Sequence, residues 1–142
     1  MTTDAPTTLS YEPKPTTSKA MLWTGRVISA IPVLFMAGIG LVIFFAYPEK
    51  MTETTTKYGY PASAVRPMFF VEMACVILYV IPQTAVLGAI LLTGYLGGAV
   101  ATHVHASEPF WFPIVFGVLV WLGLFLRDAR VRALVPLRRL RG

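Results

Sequence analysis

Charge is scarce in this chain. Asp, Glu, Lys and Arg make up 13% of its 142 residues, where a soluble globular domain carries about 25%. From Met73 to Ser107 there is none. A chain this poor in charge does not clothe a water-facing surface. Cysteine is also scarce: Cys75 stands alone, which excludes an intramolecular disulfide and any CxxC redox pair and leaves it as a small apolar packing residue. His103 and His105 are the only histidines, so no pair of spans offers a bis-histidine haem site. There is no HExxH metal motif and no serine nucleophile elbow. Gly94, Gly97 and Gly98 lie inside an apolar run with no soluble strand before them, so they do not form a nucleotide-binding loop.

What the chain has instead is long apolar blocks, with 56% hydrophobic residues and a mean hydropathy of +0.66. They predict an all-α integral membrane four-helix bundle. The predicted spans are about 27–47, 67–81, 82–104 and 110–126. The first, 21 residues long, covers roughly 31 Å and crosses a hydrocarbon core, with Pro32 in its second turn as the place for a kink. The second, at 15 residues, is short, and starting it at Ala62 adds Arg66. Pro82 suits the first turn of the third span. A single helix from Pro67 to Val104 would run roughly 57 Å, far beyond a bilayer, so two antiparallel spans with almost no loop are expected. Residues 21–127 thus form one transmembrane bundle between a disordered tail, 1–20, rich in Thr and Pro, and a basic tail, 128–142.

Charge orients the bundle. From Arg127 to the end there are six arginines against Asp128, whereas the loop from Pro48 to Arg66 has a net charge of +1 and the third loop holds Glu108 without Lys or Arg. By the positive-inside rule both termini are cytoplasmic in the cell (inner) membrane. Trp23, Tyr47, Tyr79 and Trp111 fall near span ends, as interfacial aromatics do. Arg26 and Arg127 are expected as snorkelling anchors, with Asp128 as a local partner of Arg127. The arginine tail reads as a topology determinant on anionic lipid rather than a nucleic-acid site, since no soluble domain accompanies it.

Two features stand out within the spans. Thr93, Gly97 and Ala101 share one helix face, and Gly94, Gly98 and Thr102 share the next; such small-residue rows are expected to pack closely against another helix. Glu72 is a carboxyl inside a span, which costs about 2.5–3.5 kcal/mol on insertion scales. If the second span begins near Pro67, Glu72 lies roughly 8 Å below the membrane edge, at the depth of Ala99 and within reach of His103, Thr102 or Tyr95. Glu72 with His103 is either a proton-handling pair or a structural bond fixing the register of two helices, with Tyr95 and Thr102 as the groups a bound cofactor would meet. His103, His105 and Glu108 are the nearby metal-ligand types, but residues two apart do not share a helix face, and no metal site is expected. Tyr58-Gly59-Tyr60-Pro61 is a turn signal, either a short interfacial element over the bundle or a plain loop.

Several segments resemble the small bacterial DoxX-like membrane proteins. They are Lys57-Tyr58-Gly59-Tyr60-Pro61, Phe70-Val71-Glu72-Met73-Ala74-Cys75, the long stretch Tyr79 to His103, Phe116-Gly117-Val118-Leu119-Val120-Trp121-Leu122-Gly123, and Leu126-Arg127-Asp128 onward to Arg139. The resemblance spans about 22–139. It implies four membrane helices, and it maps a second-span glutamate and a third-span histidine onto Glu72 and His103. It implies a structural or accessory subunit, with quinone as the cofactor class and a link to redox or oxidative-stress systems, in contact with the lipid bilayer and with a membrane partner or a second copy. A small-solute transporter or channel component is the alternative. One departure is visible: the lysine that often closes the first span in that branch is replaced by Gly40 to Tyr47 without a lysine, and Lys50 is the nearest.

Overall fold

The computed structural model describes residues 17–134. The predicted tail 1–20, apart from its last four residues, and Arg138, Arg139 and Arg141 of the basic tail lie outside the described residues.

The chain is an all-α membrane protein. Helix α1, Lys19–Val33, passes through a π-helical turn, Leu34–Ile39, into α2, Gly40–Ala46. Together they form one apolar helix, Lys19–Ala46, of 28 residues. Ser18 starts it, its side chain accepting from the Met21 N–H at 3.3 Å. Pro32 lies inside the helix, where it has no N–H to give, and the wide turn follows directly after it. Helix α3, Pro48–Lys57, is polar. A 3₁₀ turn, Ala62–Ala64, leads into α4, Val65–Val80, and α5, Ala85–His105, follows after four residues. Helix α6, Trp111–Arg127, and the short α7, Ala129–Leu134, complete the fold.

Three helices, Lys19–Ala46, Ala62–Val80 and Ala85–His105, are long and apolar enough to cross a membrane; Trp111–Arg127 is apolar but shorter. Pro82 does not open α5. It sits in the turn before it, and Thr84 takes the N-cap position, its hydroxyl donating to the Leu78 carbonyl at 2.8 Å.

Helix α1 packs chiefly on α6, α4 on α5, and α5 on α6. The closest approaches occur at glycines. A Cβ at Gly25 would lie 2.8 Å from the Arg127 nitrogen and 2.9 Å from the Gly123 carbonyl oxygen, and one at Gly123 would collide with Ser29. A Cβ at Gly88 would collide with the backbone of Tyr79. These three positions let backbones meet as small residues do in membrane bundles. The rows chosen from the sequence do not: at Gly94, Gly97 and Gly98 an added Cβ meets nothing within 4 Å, and Thr93 and Ala101 are exposed. The glycines of the rows face out of the described bundle because α5 turns Gly88, Ala89, Leu92 and Leu96 inward instead, while Thr93 accepts from the Trp121 Nε1–H of α6 at 2.8 Å.

Tyr79 lies at the centre rather than in an interfacial belt. It is fully buried, donates to the Val120 carbonyl at 2.8 Å and shares a hydrogen bond with Ser29 Oγ at 2.9 Å. Thus one phenol joins α1, α4 and α6. Arg127 is likewise more than an anchor. Its guanidinium lies 4.6 Å from the Tyr79 ring centroid and donates to the Tyr79 carbonyl at 2.9 Å, giving a cation to the C-terminal end of α4, where the helix dipole favours one. Asp128 accepts from the Arg130 N–H at 2.8 Å rather than pairing with Arg127.

Candidate functional site

The fold brings the N-terminal half of α4, the C-terminal half of α5, the π turn and the start of α6 around a chamber of about 520 Å³. Its walls include Met36, Phe69, Glu72, Tyr95, His103 and Phe116. The π turn matters here: Phe35, Met36 and Ile39 all line the chamber, and widened turns of this kind recur at functional sites. Aromatic and aliphatic side chains share the lining, with Phe35 and Phe116 4.7 Å apart between centroids.

Glu72 is half-buried and faces this chamber. Among its three expected partners, Tyr95 is the one that bonds it, its hydroxyl donating to Oε2 at 3.1 Å. The pair bridges α4 and α5 and leaves Oε1 for a ligand. His103 lines the same chamber without a hydrogen bond to Glu72. Its Nδ1 is shut off from solvent and has no hydrogen-bond partner among the described residues; Glu108 Oε2, at 3.9 Å, is too distant for one. Thr102 stands apart from the chamber. It bonds Tyr60 at 2.8 Å and donates to the Gly98 carbonyl at 3.0 Å, on the outer side of α5.

The rim was largely hidden in the sequence. Lys57 donates to Glu108 Oε1 at 2.6 Å and Tyr58 to Oε2 at 2.7 Å, while the Tyr58 ring meets His103 edge-on at 5.6 Å. Glu108 therefore ties α3 to the α5–α6 loop over the chamber mouth. Hydrogen bonds from Lys57 and then Tyr58 hold its carboxyl below the usual range, and the same carboxylate pushes the Tyr58 phenol up. A signal for α3 was present: Pro48 at its first turn, Glu49 near its start and Lys57 near its end suit a helix and its dipole. Its threonines disguised it, since they are weak helix formers; in the helix Thr52, Thr54, Thr55 and Thr56 donate back to carbonyls four residues earlier, as such hydroxyls can.

Apolar helices around an intramembrane carboxyl–phenol pair define a small membrane protein with a chamber suited to a ligand that is mostly apolar and polar at one end. The model of the DoxX-like family matches residues 27–123, and the chain belongs to that family. No match was found among curated proteins or among solved structures.

Proposed function

We propose that this chain is a four-span protein of the inner membrane, with both termini cytoplasmic, and an accessory subunit that holds a quinone-class molecule in the outer half of its bundle. The carrying observation is the chamber: aromatic and aliphatic walls around Glu72, Tyr95 and His103. Those residues fit the group. Phe35 and Phe116 stand in the chamber wall as apolar rings beside which a flat ring can lie, the Glu72–Tyr95 pair stands at one side as a partner for a ring oxygen, and His103 lines the space nearer the mouth. A quinone supplies two-electron, two-proton chemistry when bound; Glu72 and His103 supply places for the protons. With one cysteine and two histidines the chain has no ligand set for haem or an iron–sulfur cluster, so electrons come from a membrane partner. An apolar chamber with a single carboxyl favours this ligand over a hydrophilic solute.

The fourth span is Trp111–Arg127. At 17 residues it reaches roughly 26 Å, the lower limit for a crossing. The arginines at the α6 and α7 end set the cytoplasmic side, which puts α3 and the chamber mouth outside.

The test is to purify the protein in native lipid discs, extract it with solvent and assay quinone. Wild type is expected to retain quinone in near-stoichiometric amount, with Glu72→Leu and Tyr95→Phe retaining several-fold less. Quinone absent from wild type, or equal in all three, overturns the proposal.

A further inference from the structure

A second cavity, of about 480 Å³, lies on the outer face of the α4–α5 pair. Pro67, Val71, Gly94 and Gly98 line it and are exposed residues, with Tyr60 and Thr102 at its rim end, so the groove opens out of the bundle along α4 and α5. Its polar lining is small beside its apolar one. It shares Thr55, Tyr58, Met68, Tyr95, Ala99 and His103 with the inner chamber. The two spaces are therefore opposite sides of one partition. Tyr95 is held in that partition by Glu72, whereas Met68 is a half-buried thioether chain with three flexible bonds, able to change rotamer at little cost.

The glycines explain the groove's depth. A Cβ at Gly94 or Gly98 would meet no atom within 4 Å. It would project into the empty groove instead. No helix among the described residues fills that space, so the bareness of this face serves something other than packing within the described bundle.

We propose that the groove over Gly94 and Gly98 is the tail half of the ligand site: a ligand whose head sits against Glu72 and Tyr95 carries an extended hydrocarbon chain that passes Met68 and lies in this groove, which is also its way in from the lipid. The inference rests on the function proposed above. The occupant follows from the walls: the groove is mainly apolar, divided from the chamber by the flexible Met68 side chain and open on its outer side, which suits an unbranched or isoprenoid chain better than a second polar group. At about 0.8 kcal/mol per buried methylene, even a few carbons in the groove matter to affinity.

The experiment measures binding of two probes to the purified full chain in lipid discs: a benzoquinone with an alkyl tail of about ten carbons, and the same ring with a methyl in the tail's place. Wild type, Gly98→Leu and Gly94→Leu are compared, each first checked for an unchanged helical spectrum and unfolding midpoint. No atom lies within 4 Å of a Cβ at either position, so leucine can branch into the groove, and Met68→Leu, which stiffens the partition without filling the groove, serves if either glycine variant fails to fold. Filling the groove is expected to weaken the tailed probe by about tenfold or more and to leave the methyl probe within about twofold; Met68→Leu is expected to slow entry of the tailed probe alone. If wild type binds both probes and the glycine variants weaken both equally or neither, the groove assignment is overturned while the chamber proposal stands. If wild type binds neither, the chamber proposal itself fails, and the groove assignment with it.

Discussion

The same chemical change, glycine to alanine, is expected to have opposite effects at two positions of α5. At Gly88 a new Cβ would sit 2.5 Å from the Tyr79 Cα and 2.6 Å from the Leu78 carbonyl carbon, against about 3.5–4.0 Å for an ordinary carbon contact. Both neighbours are backbone, so no rotamer change relieves the overlap, and α4 and α5 must separate by about 1 Å. That displaces the residue that carries the buried Tyr79 bonds to Val120 and Ser29. Overpacking of this kind costs about 1–3 kcal/mol and sometimes more, offset in part by the about 0.5–1 kcal/mol that alanine gains over glycine within a helix. At Gly98 the clash is missing, since nothing lies within 4 Å of a Cβ, and only the gain remains. The two variants should therefore differ by about 2 kcal/mol, a factor of about 30 in the unfolding equilibrium. Reversible unfolding in mixed micelles with increasing sodium dodecyl sulfate, followed by far-ultraviolet circular dichroism, reads this directly. Equal shifts, or a larger loss at Gly98, would refute the placement of the α5 faces.

Two further outcomes follow from the buried phenol and from the rim. Tyr79→Phe removes a donor from the buried Val120 carbonyl and a partner from Ser29, and should cost about 1–3 kcal/mol in the same unfolding assay; a loss below about 0.5 kcal/mol contradicts the role given to the phenol. The Glu108 tie should respond to acid. Its carboxyl is held below the usual range by Lys57 and Tyr58, with His103 nearby, so its contribution is present above the ordinary glutamate value of about 4.3 and is lost as pH falls through the lowered one. The partner group has the opposite sign: Tyr58 is raised, so its contribution is present below the ordinary tyrosine value of about 10 and is lost as pH rises through the raised one. Amide protection of residues 57–60, relative to the intrinsic exchange rate at each pH, should thus fall below about pH 4, and Glu108→Gln should abolish that acid step; an unchanged acid profile in the variant contradicts it.

Much of this fold could be read from the chain because lipid leaves so few options. Long uncharged blocks in a membrane have to be helices, so the apolar helices and the turn between α4 and α5 followed from composition and length. The exact ends were less legible: the first helix begins at Lys19 rather than near Val27, since a helix can extend past the lipid into water without changing its apolar block. Helix faces were the hardest to assign. Rows of small residues have the same spacing whether they meet a neighbouring helix or open space, so Gly94, Gly97 and Gly98 looked like a packing seam. The actual contacts, Gly25 with Gly123 and Gly88 with Tyr79, join segments whose pairing no local pattern reveals. At the site, the depth estimate brought Glu72 level with α5 and named Tyr95 among its partners. It could not see that His103 would face Tyr58 and Glu108, because that depends on where α3 folds back, and α3 is polar and threonine-rich.

The central claim is that a quinone-class head sits against the hydrogen-bonded Glu72–Tyr95 pair. The most direct measurement is photo-crosslinking of the protein in lipid discs with a quinone carrying a photoreactive group on its ring, followed by mass-spectrometric mapping. The expected adducts fall on Met68 to Glu72 and on Tyr95 to His103, and unlabelled quinone removes them. Adducts confined to outward-facing residues such as Ile77, Ile90 and Val118, or adducts that no competitor removes, would contradict it.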